Sequence, residues 1–145
     1  MRRIRSCAPF PHERFSREIT LSPDVIGAYA HLAGDTNPVH HDPAFASTTR
    51  FGRLIASGTH TTALLLGLTA SHYSKHGSMV GLEFWVRFRS AIFADETICL
   101  EWLVIRVTPN VNLGGDVVEL RGRIRNTKGV TALGAKGRVL VTDCL

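Results

Sequence analysis

The stretch SGTHTTALLLGLTASHYSK, residues Ser57–Lys75, decides the fold class of this chain. Ser57 is a favourable N-cap, because a serine side chain accepts a hydrogen bond from an amide of the first helical turn. The middle of the segment is apolar all round, which is typical of a helix that is buried on every side. The sequence therefore predicts a central core helix that other elements must surround.

The residues after this helix alternate between apolar and polar side chains, which is the period of β-strands. Four strands are predicted, over Val80–Arg89, Thr97–Val107, Val117–Asn126 and Ala132–Thr142. The segments FADE, TPNVNLGGD and NTKG supply the connecting turns. Four strands joined by such turns form an antiparallel sheet that can wrap around the helix.

The residues before the core helix predict one short strand and a second helix. The strand FSREITL covers Phe15–Leu21, and Ser22 followed by Pro23 is typical of a helix N-terminus. Apolar residues then recur at helical spacing up to Gly34, which suits the left-handed position after a helix. We expect a basic tail over residues 1–14 and one α+β domain over residues 15–145.

Length and composition fit one globular domain. The chain has 145 residues, of which 44% are hydrophobic and 20% charged, enough to bury a full core. Its longest apolar run, TTALLLGLTA, is too short to cross a membrane, so no membrane partner is expected. The three cysteines form no CxxC pair, which favours a reducing, cytoplasmic location.

Titratable side chains are concentrated in GDTNPVHHD, residues 34–42. Asp35 and His40 are five positions apart, and Pro38 between them favours a loop that can aim both side chains inward. A carboxylate and an imidazole can share one water and move its proton, which is general acid and base chemistry. The alternative is that Asp35 caps a turn and His40 is a surface histidine.

The start of the core helix offers a second chemical group. The Gly58 amide lies at a helix N-terminus, where it has no intrahelical acceptor and the helix dipole favours negative charge. Such an amide can serve as an oxyanion hole for a carbonyl oxygen. The alternative is an ordinary capped helix start.

The segment GDTNPVHHDPAFASTTRFGRLIASG, residues 34–58, resembles the signature of the MaoC-like dehydratases, also called the hydratase 2 family of R-specific enoyl-CoA hydratases. That resemblance implies a hot-dog fold and reversible hydration of a trans-2-enoyl thioester to an (R)-3-hydroxyacyl thioester. It implies that Asp35 and His40 are the catalytic pair, that Asn37 supports their loop, and that Gly58 forms the oxyanion hole. It further implies a homodimer, an acyl-CoA or acyl-carrier thioester as substrate, and neither metal nor redox cofactor.

Two positions depart from the pattern of many members of this family. Ser57 stands where they have histidine, and Leu66 stands where some short-chain hydratases place a hydroxyl that helps to bind the thioester. Thr61 or Thr62 can supply that hydroxyl instead. These differences leave the acid and base in place but leave the acyl group open.

Aromatic residues near the loop and along the first long strand allow two interpretations. Phe45, Phe51 and Leu54 flank the loop and either pack in the core or line an acyl pocket. Phe84 and Phe88 share one strand face and are expected to pack against the core helix.

Basic residues also allow two interpretations. The net charge of +5 favours anionic partners, but no zinc-finger, RNP or basic-zipper pattern supports nucleic acid. Alternation along the strands places Arg87 with Arg89 on one sheet face, and Arg121, Arg123 and Arg125 together on one face. These arginines either form a solvated outer face or meet the phosphates of coenzyme A.

Two other functions compete with hydration, and two further interpretations are not expected. A hot-dog thioesterase would use a similar helix-start amide and release free thiol, and a non-catalytic subunit would bind acyl thioesters without turnover. A metal site is not expected, since His72 and His76 lack an established ligand pattern and suit a solvated helix end. A serine hydrolase is not expected either, because LIASGT does not match G-x-S-x-G.

Overall fold

The structure is a computed structural model that describes residues 8–143, so the predictions for Cys7, for Cys144 and for residues 1–7 of the tail lie outside the described residues. The elements in chain order are β1 Arg14–Thr20, α1 Pro23–Leu32, a 3₁₀ turn Pro38–His40, α2 Pro43–Thr48, α3 Gly58–Tyr73, β2 Ser78–Phe88, β3 Thr97–Asn110, β4 Gly115–Arg125 and β5 Thr131–Thr142.

The five strands form one antiparallel sheet in the order β1-β3-β4-β5-β2. The inner face of the sheet packs against α3, and β1 and β2 form its two edges. This arrangement confirms the predicted hot-dog fold of the α+β class. One prediction about the turns is wrong, because Thr108–Asn110 continue β3 by pairing with residues 115–117 of β4 instead of joining the turn.

The core between sheet and helix is organised around Trp102, which is almost fully buried. Its indole Nε1–H donates a 2.8 Å hydrogen bond to the carbonyl of Leu65 in α3, which satisfies the one polar group of the side chain. Gly122 lies opposite it on β4, where an added Cβ would stand only 2.5 Å from the ring. The absence of a side chain at Gly122 therefore makes room for the indole.

The central helix is less enclosed than its sequence predicted. Leu65, Leu68 and Thr69 are buried as expected, and the Ser57 Oγ accepts a 3.2 Å hydrogen bond from the His60 amide as the predicted N-cap. The small residues Ala63, Gly67 and Ala70 are exposed in the single chain. Burial on every side is thus wrong for the isolated chain, because the sheet curls around only one side of α3.

The C-terminal end of α3 contains a second correction. The His72 Nε2 lies 2.7 Å from a carboxylate oxygen of buried Glu13, and its ring stacks on Phe15 at a centroid distance of 3.9 Å. His72 is therefore a packed residue and not a solvated one, whereas His76 is exposed as predicted. These contacts also attach Glu13, at the end of the predicted tail, to the folded domain.

Candidate active site

The loop after α1 is held in place by backbone hydrogen bonds at its first residues. Gly34 adopts a φ of +72°, the left-handed conformation that its position predicted. This turn directs the Asp35 amide to the Ala30 carbonyl at 2.8 Å. Pro38 then starts the 3₁₀ turn that carries His40, so the proline separates the two titratable side chains as expected.

Asp35 and His40 do face each other, as their predicted pairing requires. The His40 Nε2 lies 3.5 Å from an Asp35 carboxylate oxygen; the imidazole is 8% exposed and the carboxylate 30%. The His40 Nδ1 lies 2.7 Å from the Ile55 carbonyl, which can only accept, so Nδ1 carries the hydrogen. In the neutral ring Nε2 therefore presents a lone pair towards the carboxylate.

Three further contacts orient this pair. The Asn37 amide donates to the Asp35 carboxylate at 3.0 Å, and the Asn37 side-chain oxygen accepts from the Val39 amide at 3.3 Å. The exposed His41 donates its Nε2–H to the Asp35 carbonyl at 2.6 Å. Asn37 thus stabilises the loop twice, through its backbone amide and through its side-chain oxygen. His41 stabilises the loop from the solvent side.

The other predicted group, Gly58, is the first residue of α3. Its carbonyl accepts the hydroxyls of Thr61 at 3.1 Å and Thr62 at 2.7 Å. The Thr62 hydroxyl is therefore engaged by the helix backbone, which weakens the expectation that it contacts substrate. The Gly58 amide belongs to the first turn and has no intrahelical acceptor, so it is suited to an incoming oxygen.

A cleft of about 700 Å³ opens beside the start of α3. Its walls are largely apolar and include Phe51, Ile55, Gly58, Thr61 and Phe88. Phe45, Phe51 and Leu54 were each predicted either to pack in the core or to line a pocket. Phe51 is a wall residue of the cleft, whereas Leu54 is buried in the core and Phe45 is exposed. Asp35 and His40 are not wall residues of this cleft: His40 contacts the backbone of the wall residue Ile55, and Asp35 lines a smaller neighbouring pocket with His41.

Phe88 is the residue whose placement the sequence did not predict. It is 58% exposed and not packed in the core, whereas Phe84 does pack against Trp102. A Cβ at Gly58 would lie 2.8 Å from the Phe88 ring, so the ring lies directly over the glycine. No sequence signal identifies this contact, since the two residues are 30 positions apart and meet only through the sheet.

Histidine 60 is a buried titratable group beside the site. Its ring stacks on Tyr29 at a centroid distance of 4.3 Å, and the Tyr29 hydroxyl donates to the Thr59 carbonyl at 3.2 Å. Burial lowers the pKa of His60 below its ordinary value, since no charged partner compensates for lost solvation. His60 is therefore neutral near pH 7 and links α1 to the start of α3 by packing.

Within residues 8–143, no three histidine, cysteine, aspartate or glutamate side chains converge as a metal site would require. In the same residues, no helix has both the length and the apolar character needed to cross a membrane.

The model of the protein family described as MaoC like domain matches residues 9–118 of this chain. This chain belongs to that family. An (R)-specific enoyl-CoA hydratase of Aeromonas caviae is 36% identical over 76 residues, which is 52% of this chain and 56% of that protein. A 3-hydroxybutyryl-CoA dehydratase of Methylorubrum extorquens is 30% identical over 97 residues, 67% of this chain and 60% of that protein.

The matched regions thus span 56% and 60% of these two curated relatives. Among solved structures, an (R)-hydratase from A. caviae involved in PHA biosynthesis superimposes with a TM-score of 0.83 at 24% identity, covering 92% of this chain and 97% of that one. This likeness shows that the MaoC-like chain and the (R)-hydratase share the hot-dog fold.

Proposed function

We propose that this MaoC-like protein hydrates trans-2-enoyl-CoA reversibly to (R)-3-hydroxyacyl-CoA. The observation that carries the proposal is the facing of the His40 Nε2 lone pair and the Asp35 carboxylate at 3.5 Å. When the imidazole is neutral, these two acceptors cannot satisfy each other, but a water that donates one hydrogen to each can bridge them. The names of the curated relatives, a hydratase and a dehydratase, support the same chemistry.

The proposed reaction follows from this bridging water. With its two hydrogens held by Asp35 and His40, the water directs an oxygen lone pair at C3 of the enoyl thioester. Asp35 accepts one proton as the C3–O bond forms, and the electron pair of the double bond moves towards the thioester carbonyl. The pair then returns a proton to C2, so one water adds and no electrons are exchanged with a cofactor.

The Gly58 amide is proposed to stabilise the charge that develops on the thioester oxygen. The N-terminus of the 16-residue α3 adds a favourable dipole at that point. One preorganised donor of this kind typically lowers the barrier by about 3 kcal/mol. Polarising the carbonyl also makes C3 more electrophilic, so the amide and the Asp35–His40 pair act on the two ends of the same conjugated system.

A homodimer is proposed as the working assembly. The exposed Ala63, Gly67 and Ala70 give α3 a face of small side chains, and the edge strand β2 exposes Leu82. Both features leave apolar surface and unpaired strand edge that a second copy would cover. Light scattering of the purified protein tests this, with a mass of twice 15.9 kDa expected and a monomer contradicting it.

The hydration proposal is tested with crotonyl-CoA and longer trans-2-enoyl-CoA esters. Loss of the conjugated thioester absorbance and release of free thiol are followed in parallel, and the configuration of the product is determined. We expect loss of conjugation without thiol and an (R)-alcohol. Thiol release would assign the protein as a thioesterase, and binding of acyl-CoA without turnover would assign it as a non-catalytic subunit.

A further inference from the structure

A groove of about 700 Å³ runs over the outer face of the sheet, on the side away from α3. We call it the basic groove. Its charged wall residues are Arg14, Arg87, Arg89, Arg121, Arg123, Lys136 and Glu101. The predicted alternation is confirmed for Arg87 with Arg89 and for Arg121 with Arg123, whereas Arg125 is not a wall residue and pairs with Glu101. The strand pairing adds Arg14 and Lys136 from two further strands.

The cations of the basic groove differ from the other cations on the same face of the sheet. Arg106 and Arg138 lie nearer the other end of the face and pair with Glu119 and Glu83 at 3.5 and 3.6 Å. In the basic groove, Glu101 is the only carboxylate of the lining and bonds to Arg123. Among residues 8–143, the other five cations of the groove have no carboxylate within ion-pair distance.

Two of these unpaired cations are placed where they oppose folding. Arg121 on β4 and Lys136 on β5 are direct cross-strand partners in the sheet register. Like charges directly opposite each other on a sheet face destabilise it. Violations of this kind are expected at functional sites, and an anion bound between the two cations would relieve this repulsion.

The basic groove also has room and a flat aromatic surface. Gly134 lies between Arg123 and Arg87 in the strand register. Because it has no side chain, open space remains there at the bottom of the groove. Trp85 is 54% exposed at one wall, and the Lys136 ammonium lies 5.8 Å from its ring centroid. A planar ring can stack on such an indole while phosphates meet the surrounding cations.

The basic groove and the cleft beside α3 meet at one residue, Arg89. Arg89 lines both, and it follows Phe88, the residue whose ring covers Gly58. Leu133 lines the cleft and its neighbour Gly134 lines the groove, so the two lie on opposite faces of the sheet near the last residue pair of β2 and β5, Phe88 with Leu133. One long ligand can therefore place an acyl end in the cleft and a charged end on the outer face.

We propose that the basic groove binds the phosphorylated adenosine diphosphate end of a coenzyme A thioester, with adenine on Trp85 and phosphates on Arg121 and Lys136. This inference rests on the proposed function, because it assigns the acyl end of the same molecule to the cleft. It selects coenzyme A over an acidic carrier protein, since the groove places an exposed indole for ring stacking beside cations that can meet the phosphates of a small polyanion.

The test measures binding apart from catalysis. Free coenzyme A and 3′-phosphoadenosine 5′-phosphate are titrated calorimetrically into the wild type and into Arg121→Ser/Lys136→Ser. We expect the Kd for both to rise about tenfold or more, because charge-assisted contacts are lost. The matched control Lys75→Ser/Lys128→Ser removes the same charge from two exposed cations that do not line the groove, and it should change Kd less than about twofold.

A second variant changes affinity in the opposite direction. Glu101→Gln frees Arg123 and removes the carboxylate of the groove, so coenzyme A should bind several-fold more tightly. Partial unfolding cannot produce such a gain. Burial raises the pKa of Glu101, but the hydrogen bonds and charges of Arg123 and Arg125 outweigh burial and lower it, so this carboxylate is ionised at neutral pH.

Turnover supplies an independent comparison. Crotonyl-CoA should show a raised KM in Arg121→Ser/Lys136→Ser, whereas crotonyl-pantetheine, which lacks the nucleotide, should react equally with both proteins. Equal weakening of coenzyme A binding by the two double variants, or no weakening, would overturn the proposal. So would binding of nucleic acid or an acidic protein without coenzyme A. If no enoyl ester reacts, the proposed function is wrong, and the calorimetry still shows whether the basic groove binds coenzyme A.

Discussion

Replacing Gly58 by alanine should separate catalysis from stability at the start of α3. The new methyl would lie 2.8 and 2.9 Å from two carbons of the Phe88 ring, well inside van der Waals contact. Overpacking of this kind costs about 1–3 kcal/mol, although the exposed Phe88 can swing away. Alanine in a helix offsets about 0.5–1 kcal/mol of this cost. The expected net loss of unfolding free energy is therefore small.

The loss of activity should be much larger. The methyl and the displaced ring both crowd the Gly58 amide, and losing one oxyanion donor lowers kcat by about 100- to 1,000-fold. Hydration kinetics and urea unfolding are measured on the wild type, Gly58→Ala, Phe88→Ala and the double variant, as a double-mutant cycle. The double variant should regain stability but not activity, because the methyl still blocks the amide.

Either of two results would refute this reasoning. Full activity in Gly58→Ala would mean that the amide does not bind the thioester oxygen. Recovery of activity in Gly58→Ala/Phe88→Ala would mean that the displaced ring, and not the amide, had caused the loss.

Two further predictions concern the loop and the buried histidine. Asn37→Ala removes the cap of the 3₁₀ turn, so the free energy of unfolding in urea should fall by about 1 kcal/mol and the kcat of hydration should also fall. An unchanged kcat would mean that Asn37 does not support the catalytic pair. Because the pKa of His60 is lowered from 6.5, the unfolded chain gains a proton first as pH falls, so the unfolding free energy should fall as pH drops below 6.5. His60→Phe keeps a ring on Tyr29 and should flatten this dependence between about pH 7 and 5; an unchanged slope would contradict the assignment.

Local signals predicted much of the fold. Ser22 and Ser57 each cap the helix that the sequence assigned to them, because capping involves only neighbouring residues. Gly34 takes the left-handed conformation for the same reason. Strand alternation likewise placed Arg121 and Arg123 on one face, since the strand period fixes the direction of side chains.

Contacts between distant segments could not be predicted in the same way. His72 was expected in solvent, but Glu13, 59 positions away, meets it in the folded chain. The cross-strand pair of Arg121 and Lys136 depends on the β4–β5 register, which alternation alone does not fix. The candidate site shows both cases: spacing brought Asp35 and His40 together, whereas Phe88 over Gly58 required the sheet.

The central claim is that Asp35 and His40 act on one shared water, and the most direct test is kcat/KM for crotonyl-CoA hydration in Asp35→Asn, His40→Ala and their double variant. Two groups that hold one water act as a unit, so each single variant should lose nearly as much activity as the double variant. Losses that multiply as for independent sites, or a fully active single variant, would contradict the account.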